Sequence, residues 1–172
     1  MNGIGYKEKY MSIRRLLVLL LLIAFSMKGQ RVDSLYRALN DSHEDTNRVK
    51  LYNGICFAVK DSSTLIAIEY ALKQLELSEK LNYLKGKQGA LTMLGGLYFD
   101  EGSYNISIRY YMQRLKLAED KRDSVGIMKS YINISNVLWV NKELDKALGY
   151  YNKALIIAQN RDDKKAIGII YS

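Results

Sequence analysis

The 172-residue chain contains no proline, one cysteine, one histidine and one tryptophan. Each shortage excludes something. A chain of this length without proline is poor in proline-built turns and suits uninterrupted helices. One thiol, Cys56, cannot close an internal disulfide or anchor a metal cluster alone. Paired with His43, thirteen positions earlier, it offers at most a thiol nucleophile with a base. Cys56, however, falls inside an apolar helical pattern, where it reads as a small core residue, and His43 lies in the polar run DSHED, which reads as a loop. Glycine-rich phosphate loops, zinc-ligand spacings and paired catalytic carboxylates are also missing. The acidic residues stand singly on solvated faces, where nothing shifts their pKa for general acid work. The chain is therefore expected to use no metal and no cofactor, and not to be an enzyme.

Long apolar runs are scarce as well. Leu16–Phe25 is ten residues long, short of the ~20 needed to span a bilayer. Arg14 and Arg15 precede it and SMKGQ follows, the arrangement of a secretory signal peptide over residues 1–29. Cleavage is expected near Gly29–Gln30, with Met11 a second candidate start. The alternative is a short buried helix or an uncleaved anchor. Of the 26 basic and 18 acidic residues, five and one lie in residues 1–29, so removal lowers the net charge from +8 to about +4. The remaining charges alternate in sign, as in EDKRD and NRDDKK. That is a solvated surface and not a basic stripe for nucleic acid.

What the chain does have is tyrosine, 14 in all, and a repeat. Sliding the chain by forty residues aligns Gly86 with Gly126, Leu94 with Ile134, Gly95 with Ser135 and Phe99 with Trp139. Tyr110–Tyr111 then meets Tyr150–Tyr151, and Leu115 and Ala118 meet Leu155 and Ala158. A third copy lies upstream through Ile68, Tyr70, Leu75 and Ser78. Its first half slips by one, so that Ile55–Cys56 matches Leu94–Gly95. KKAIGIIYS opens a fourth copy.

Each copy reads as two amphipathic helices. Leu144, Ala147, Leu148, Tyr151, Ala154, Leu155 and Ala158 form one continuous helical face. Capping residues at Ser62 or Ser63, Ser103, Asp123 or Ser124, and Asp163 mark starts. The helices are expected near 46–60, 63–80, 86–100, 104–120, 125–141 and 144–160, after a lead-in helix near 32–40. A helix pair cannot bury its apolar face alone, whereas stacked pairs can. The expected fold is an all-α α-solenoid of antiparallel pairs, with repeats near 46–84, 85–124 and 125–163 and a partial one over 164–172. Residues 30–45 form the lead-in. The outer face of 144–160 expects a further helix over it.

The pattern resembles the tetratricopeptide repeat. That family's large, Leu, small and Tyr positions fall on Leu91, Leu94, Gly95 and Tyr98, then on Tyr131, Ile134, Ser135 and Leu138. On the second helices its small, aromatic and small positions fall on Ser107 and Tyr111, then on Ala147, Tyr151 and Ala154. Ile55, Cys56, Ala67 and Ala71 carry the first copy. Arg114 and Gln74 depart from the small position that Ala154 keeps, and looser packing is expected there. The period is forty where the family has thirty-four. The signal segment with VDSLYRALNDSHEDTNRVKLYN also resembles the exported sensor part of bacterial signalling proteins, in which repeats precede a membrane helix and an output domain.

The resemblance implies where a partner binds. The first helix of each pair lines the concave face, which carries over to Asn53 and Phe57, then Thr92, Gly96 and Phe99, then Ile132, Asn136 and Trp139. It implies a protein or peptide ligand in that groove, in the cell envelope or periplasm of a Gram-negative bacterium. A membrane tether is implied only if the gene continues. The family's clamp for C-terminal carboxylates needs Lys and Arg where this chain has Asn53, Thr92 and Ile132. Tyr110 and Tyr150, one step round from the buried tyrosine of each doublet, are expected at the edge of the packed face.

Overall fold

The computed structural model describes residues 29–171, and the signal-peptide reading over 1–29 lies outside them except for Gly29. Helix α1 covers residues 29–40. It is followed by α2 (Thr46–Val59), α3 (Thr64–Lys80), α4 (Leu84–Asp100), α5 (Tyr104–Asp120), α6 (Ser124–Val140), α7 (Leu144–Asn160) and α8 (Lys164–Tyr171). There is no strand among the described residues. Consecutive helices pack antiparallel, and α2 also touches α4, so that pairs stack into an α-solenoid.

From α3 onward the spacing is strict. Four helices of 17 residues after α3 repeat its length, each separated by three residues, so α7 ends as α5 and α3 do. The connections share one geometry. Asn82, Gly102, Arg122, Lys142 and Asp162 all have positive φ, between 50° and 75°. The residue after each donates its backbone N–H to a carbonyl five back: Tyr83 to Ser78 at 2.8 Å, Ser103 to Tyr98 at 2.8 Å, Asp123 to Ala118 at 2.9 Å, Glu143 to Leu138 at 2.9 Å and Asp163 to Ala158 at 2.9 Å. This is the Schellman closure of a helix end, which satisfies carbonyls that no further turn would reach. The α2–α3 join has no positive-φ residue, and Ser63 bonds back to Val59 at 2.8 Å. Helix α2 ends four residues after Ile55, where α4 runs six past Leu94, and its join of four residues is one longer than the later joins of three; together these give the one-residue slip of the first copy.

Helix starts follow the caps in part. Asp45, Ser63 and Asp123 accept from backbone N–H groups of the first turns of α2, α3 and α6, and Asp163 accepts from Ala166 N at 2.9 Å. Ser103 precedes α5 without a side-chain bond. Helix α4 begins at Leu84 rather than 86, because the Schellman turn dictates the entry and Tyr83 offers no cap.

The core lies between helices in three clusters. Ile55, Cys56, Ala67, Ala71 and Leu94 centre the first; Tyr111, Leu115, Ile134 and Leu138 the second; Met128, Ala154, Ala158 and Ala166 the third. Leu144 and Leu148 were expected on the buried face of α7 but are exposed, Leu148 at 52%. Over the described residues α8 packs on the C-terminal part of α7, where Ala154 and Ala158 meet Ala166.

Candidate binding groove

The first helices share one face. Along it runs a cavity of about 540 Å³ between α2, α4 and α6, lined in part by Asn53, Phe57, Thr92, Met93 and Gly96. A second cavity of about 310 Å³ lies between α4, α6 and α8 and takes in Ile132, Asn133, Asn136 and Ile169. Thr92, Arg114 and Lys129 line both, so the two cavities form one continuous groove.

The expected face residues divide accordingly. Asn53, Phe57, Thr92 and Gly96 line the first cavity, and Ile132 and Asn136 the second. Ile132 is mostly core, buried among Met128, Ala154 and Ala166. Asn136 already accepts the Tyr151 hydroxyl at 2.6 Å, which leaves its amide donors for other partners. Phe99 and Trp139 line neither of these two cavities. Phe99 stands in the last turn of α4, where its ring lies 5.9 Å, centroid to centroid, from that of Tyr104, the first residue of α5. Trp139, its counterpart in α6, is 52% exposed outside the groove.

Arg114 was missed as a groove residue because it belongs to a second helix. It, Gln74 and Ala154 occupy one repeat position. Gln74 is buried and the Arg114 side chain is 12% exposed, yet both line cavities. Each passes over a glycine of the following first helix. Gln74 Nε2 donates to Gly86 O at 3.2 Å, and a Cβ added to Gly126 would lie 2.9 Å from both terminal nitrogens of Arg114. Where the second helix has Ala154, the following helix has Ala166 instead of glycine, and the two pack together. Long residue and glycine thus face each other at Arg114 and Gly126, and alanine and alanine at Ala154 and Ala166, whereas a Cβ at Gly86 would meet Ser78, Tyr83 and Val49. The signal in the sequence was the matched pair Gly86 and Gly126.

Both long side chains keep an unsatisfied atom. Gln74 Oε1 and one terminal nitrogen of Arg114 are buried without a hydrogen-bond partner among the described residues. Arg114 is only loosely neutralised by Asp123, at 3.7 Å. Gln74, with Asn53, Lys85 and Gly89, lines a smaller cavity of about 180 Å³ at the α2 end of the groove.

Cys56 is buried, and its Sγ donates to Ala67 O at 3.3 Å. Desolvation pushes the thiol up to about 11. At neutral pH it is protonated and unreactive, while His43 is exposed in the loop before α2. No group of three or more metal-ligating side chains occurs among the described residues, and no described helix is long and apolar enough to cross a membrane.

This chain is similar in fold to RapI. The apo form of RapI superposes with a TM-score of 0.73 and 22% identity over 87% of this chain and 57% of RapI. BtubC (BKLC) from P. vanneervenii matches with a TM-score of 0.62 and 18% identity over 80% of this chain and 56% of that one. Both are helical-repeat folds of the tetratricopeptide type, so the likeness shows the architecture. The chain thus spans little more than half the length of RapI or of BtubC. No protein-family model matches the sequence, and no curated protein matches it.

Proposed function

We propose that the protein is a non-catalytic interaction scaffold of tetratricopeptide type that seats a peptide or protein segment in the groove of its first helices. The observation that carries this reading is the continuity of the groove across α2, α4, α6 and α8, with amide side chains beside apolar ones. Amides pair with peptide bonds as both donor and acceptor, while Phe57 and Met93 offer apolar area. The fold shared with RapI and BtubC supports a repeat scaffold. Residues 14–29 support export, and on this reading the scaffold works in the cell envelope of a Gram-negative bacterium.

A displayed random-peptide library tests the groove. Peptides selected by the protein are expected to be lost on Thr92→Trp, because Thr92 lines both cavities and is exposed. Capture of the same peptides at the same affinity by that variant would place binding elsewhere.

A second reading is favoured by the lead-in and repeats together: the chain is the periplasmic input region of a signal-transduction histidine kinase or a transcription regulator. The gene beyond the codon for Ser172 decides it, since a ~20-residue apolar segment and an output domain should follow in frame.

A further inference from the structure

We propose that α7 carries the contact face of a homodimer, in which two copies of this chain lay their α7 helices antiparallel and cross at Gly149. The face belongs to a second helix, and none of its residues lines either groove cavity.

The repeat supplies an internal control. Four positions are charged and exposed in both α3 and α5: Glu69 and Arg109, Glu76 and Lys116, Glu79 and Glu119, Lys80 and Asp120. Their equivalents in α7 are Gly149, Ile156, Gln159 and Asn160, and these are exposed as well, Ile156 at 58%. They recur at i, i+7, i+10 and i+11, so they share one side of the helix. Helices α3 and α5 each have a further pair stacked on them and still keep these positions solvated. The loss of charge on α7 is therefore not preparation for another repeat. It fits a surface that a partner covers from outside the solenoid.

Gly149 indicates that the partner's contacting element is a backbone that comes close. Glycine is unfavourable in a helix interior. Packing within the chain does not ask for it, since an added Cβ at 149 would have no neighbour within 4 Å. A missing Cβ does allow the close crossing of a second helix.

The charges that remain identify that helix as α7 of a second copy. In α3, Lys73 pairs with Glu69 one turn earlier, at 2.5 Å. Lys153 is the equivalent of Lys73, but Gly149 stands one turn before it. Lys153 lies over the rings of Tyr150 and Tyr131, at 5.1 and 5.7 Å, and has no carboxylate partner among the described residues. Asp145, also exposed, has no basic partner among them. Asp145 stands four residues before Gly149 and Lys153 four after it. A two-fold axis at Gly149 therefore brings each Asp145 opposite Lys153 of the second copy, and the pair forms twice. Such self-complementarity is what an isologous interface requires, whereas an unrelated partner would give no reason for the equal spacing.

Sedimentation velocity of the protein at rising concentration tests this. The mass should move from that of one chain to that of two. Gly149→Arg installs the residue type that α5 carries at Arg109, so the helix tolerates it, and it should leave single chains only. Asp145→Lys and Lys153→Asp should each weaken the dimer about tenfold or more, because like charges then face each other. The double variant Asp145→Lys/Lys153→Asp should regain it, a rescue that a merely structural role for either residue would not produce. The mass of one chain at every concentration up to ~1 mM would overturn the proposal. A dimer indifferent to Gly149→Arg would overturn it too, as would failure of the double variant to regain the mass of two chains.

Discussion

Gly95 shows what one absent carbon decides. A Cβ there would lie 2.5–2.7 Å from the ring of Tyr111, so the glycine admits the second tyrosine of its doublet into the core. Burial pushes the Tyr111 phenol up to about 12. In the next copy Ser135 stands at that place, and Tyr151 lies further out with its hydroxyl on Asn136. The first tyrosines of the doublets sit half-buried at the edge, as expected. Tyr110 stacks on Tyr98 at 5.6 Å, and Tyr150 tilts against Tyr131 at 5.7 Å. The recurrence of the doublet was legible; the depth of each ring depended on the facing residue of another helix. Gly95→Ala should cost about 1–3 kcal/mol by overpacking, whereas Gly149→Ala, with nothing within 4 Å of the added carbon, should gain about 0.5–1 kcal/mol. Urea melts of the two variants check the contrast, and a neutral Gly95→Ala would refute the packing account.

At the scale of the element, each helix from α3 to α7 ends in the same left-handed turn, and only one of the five turns uses glycine for it. Non-glycine residues pay a steric penalty of about 1–2 kcal/mol in that conformation. Gly102→Ala should therefore lower stability by about 1 kcal/mol, and Lys142→Gly should raise it by up to about 0.5 kcal/mol after the added freedom of the unfolded chain is counted. Thermal unfolding of both variants tests the signs, and stabilisation by Gly102→Ala would be incompatible with the turn geometry. This also explains why the period of forty was readable and the period of twenty was not. Arg122, Lys142 and Asp162 carry no local mark of positive φ. Each turn arises from the hydrogen bonding of the helix it closes and from the packing of the next. Helix existence and type followed from apolar spacing, and most boundaries lie within a residue or two of those expected.

At the scale of the molecule, a solenoid is held by neighbour-to-neighbour interfaces, so the same repeat position is worth different amounts along the stack. Ile68 and Leu148 are equivalent in sequence. Ile68 is 8% exposed in the first core cluster, while Leu148 is 52% exposed because α8 does not reach it. Ile68→Lys should cost about 3 kcal/mol or more through a buried charge and lost packing, and Leu148→Lys should stay within about 0.5 kcal/mol. Equal losses in denaturant midpoint for the two would show that α7 is covered in solution. The groove is likewise a property of the stack, since no single pair of helices encloses either main cavity.

The sequence by itself determined the all-helical class, the pairing of helices and the repeat, since these follow from apolar spacing and from glycine, capping and tyrosine positions local to each copy. It also marked Arg114 and Gln74 as departures. Only the tertiary structure decided what those departures do. Whether a long polar side chain is loose or buried depends on what the next helix leaves open, here Gly126 above Arg114 and Gly89 beside Gln74. The same holds for Phe99, drawn to Tyr104 across a turn, and for Leu148, which α8 leaves uncovered over the described residues. Helical periodicity assigns a residue to a face; the neighbouring helix determines whether that face is core, groove or surface.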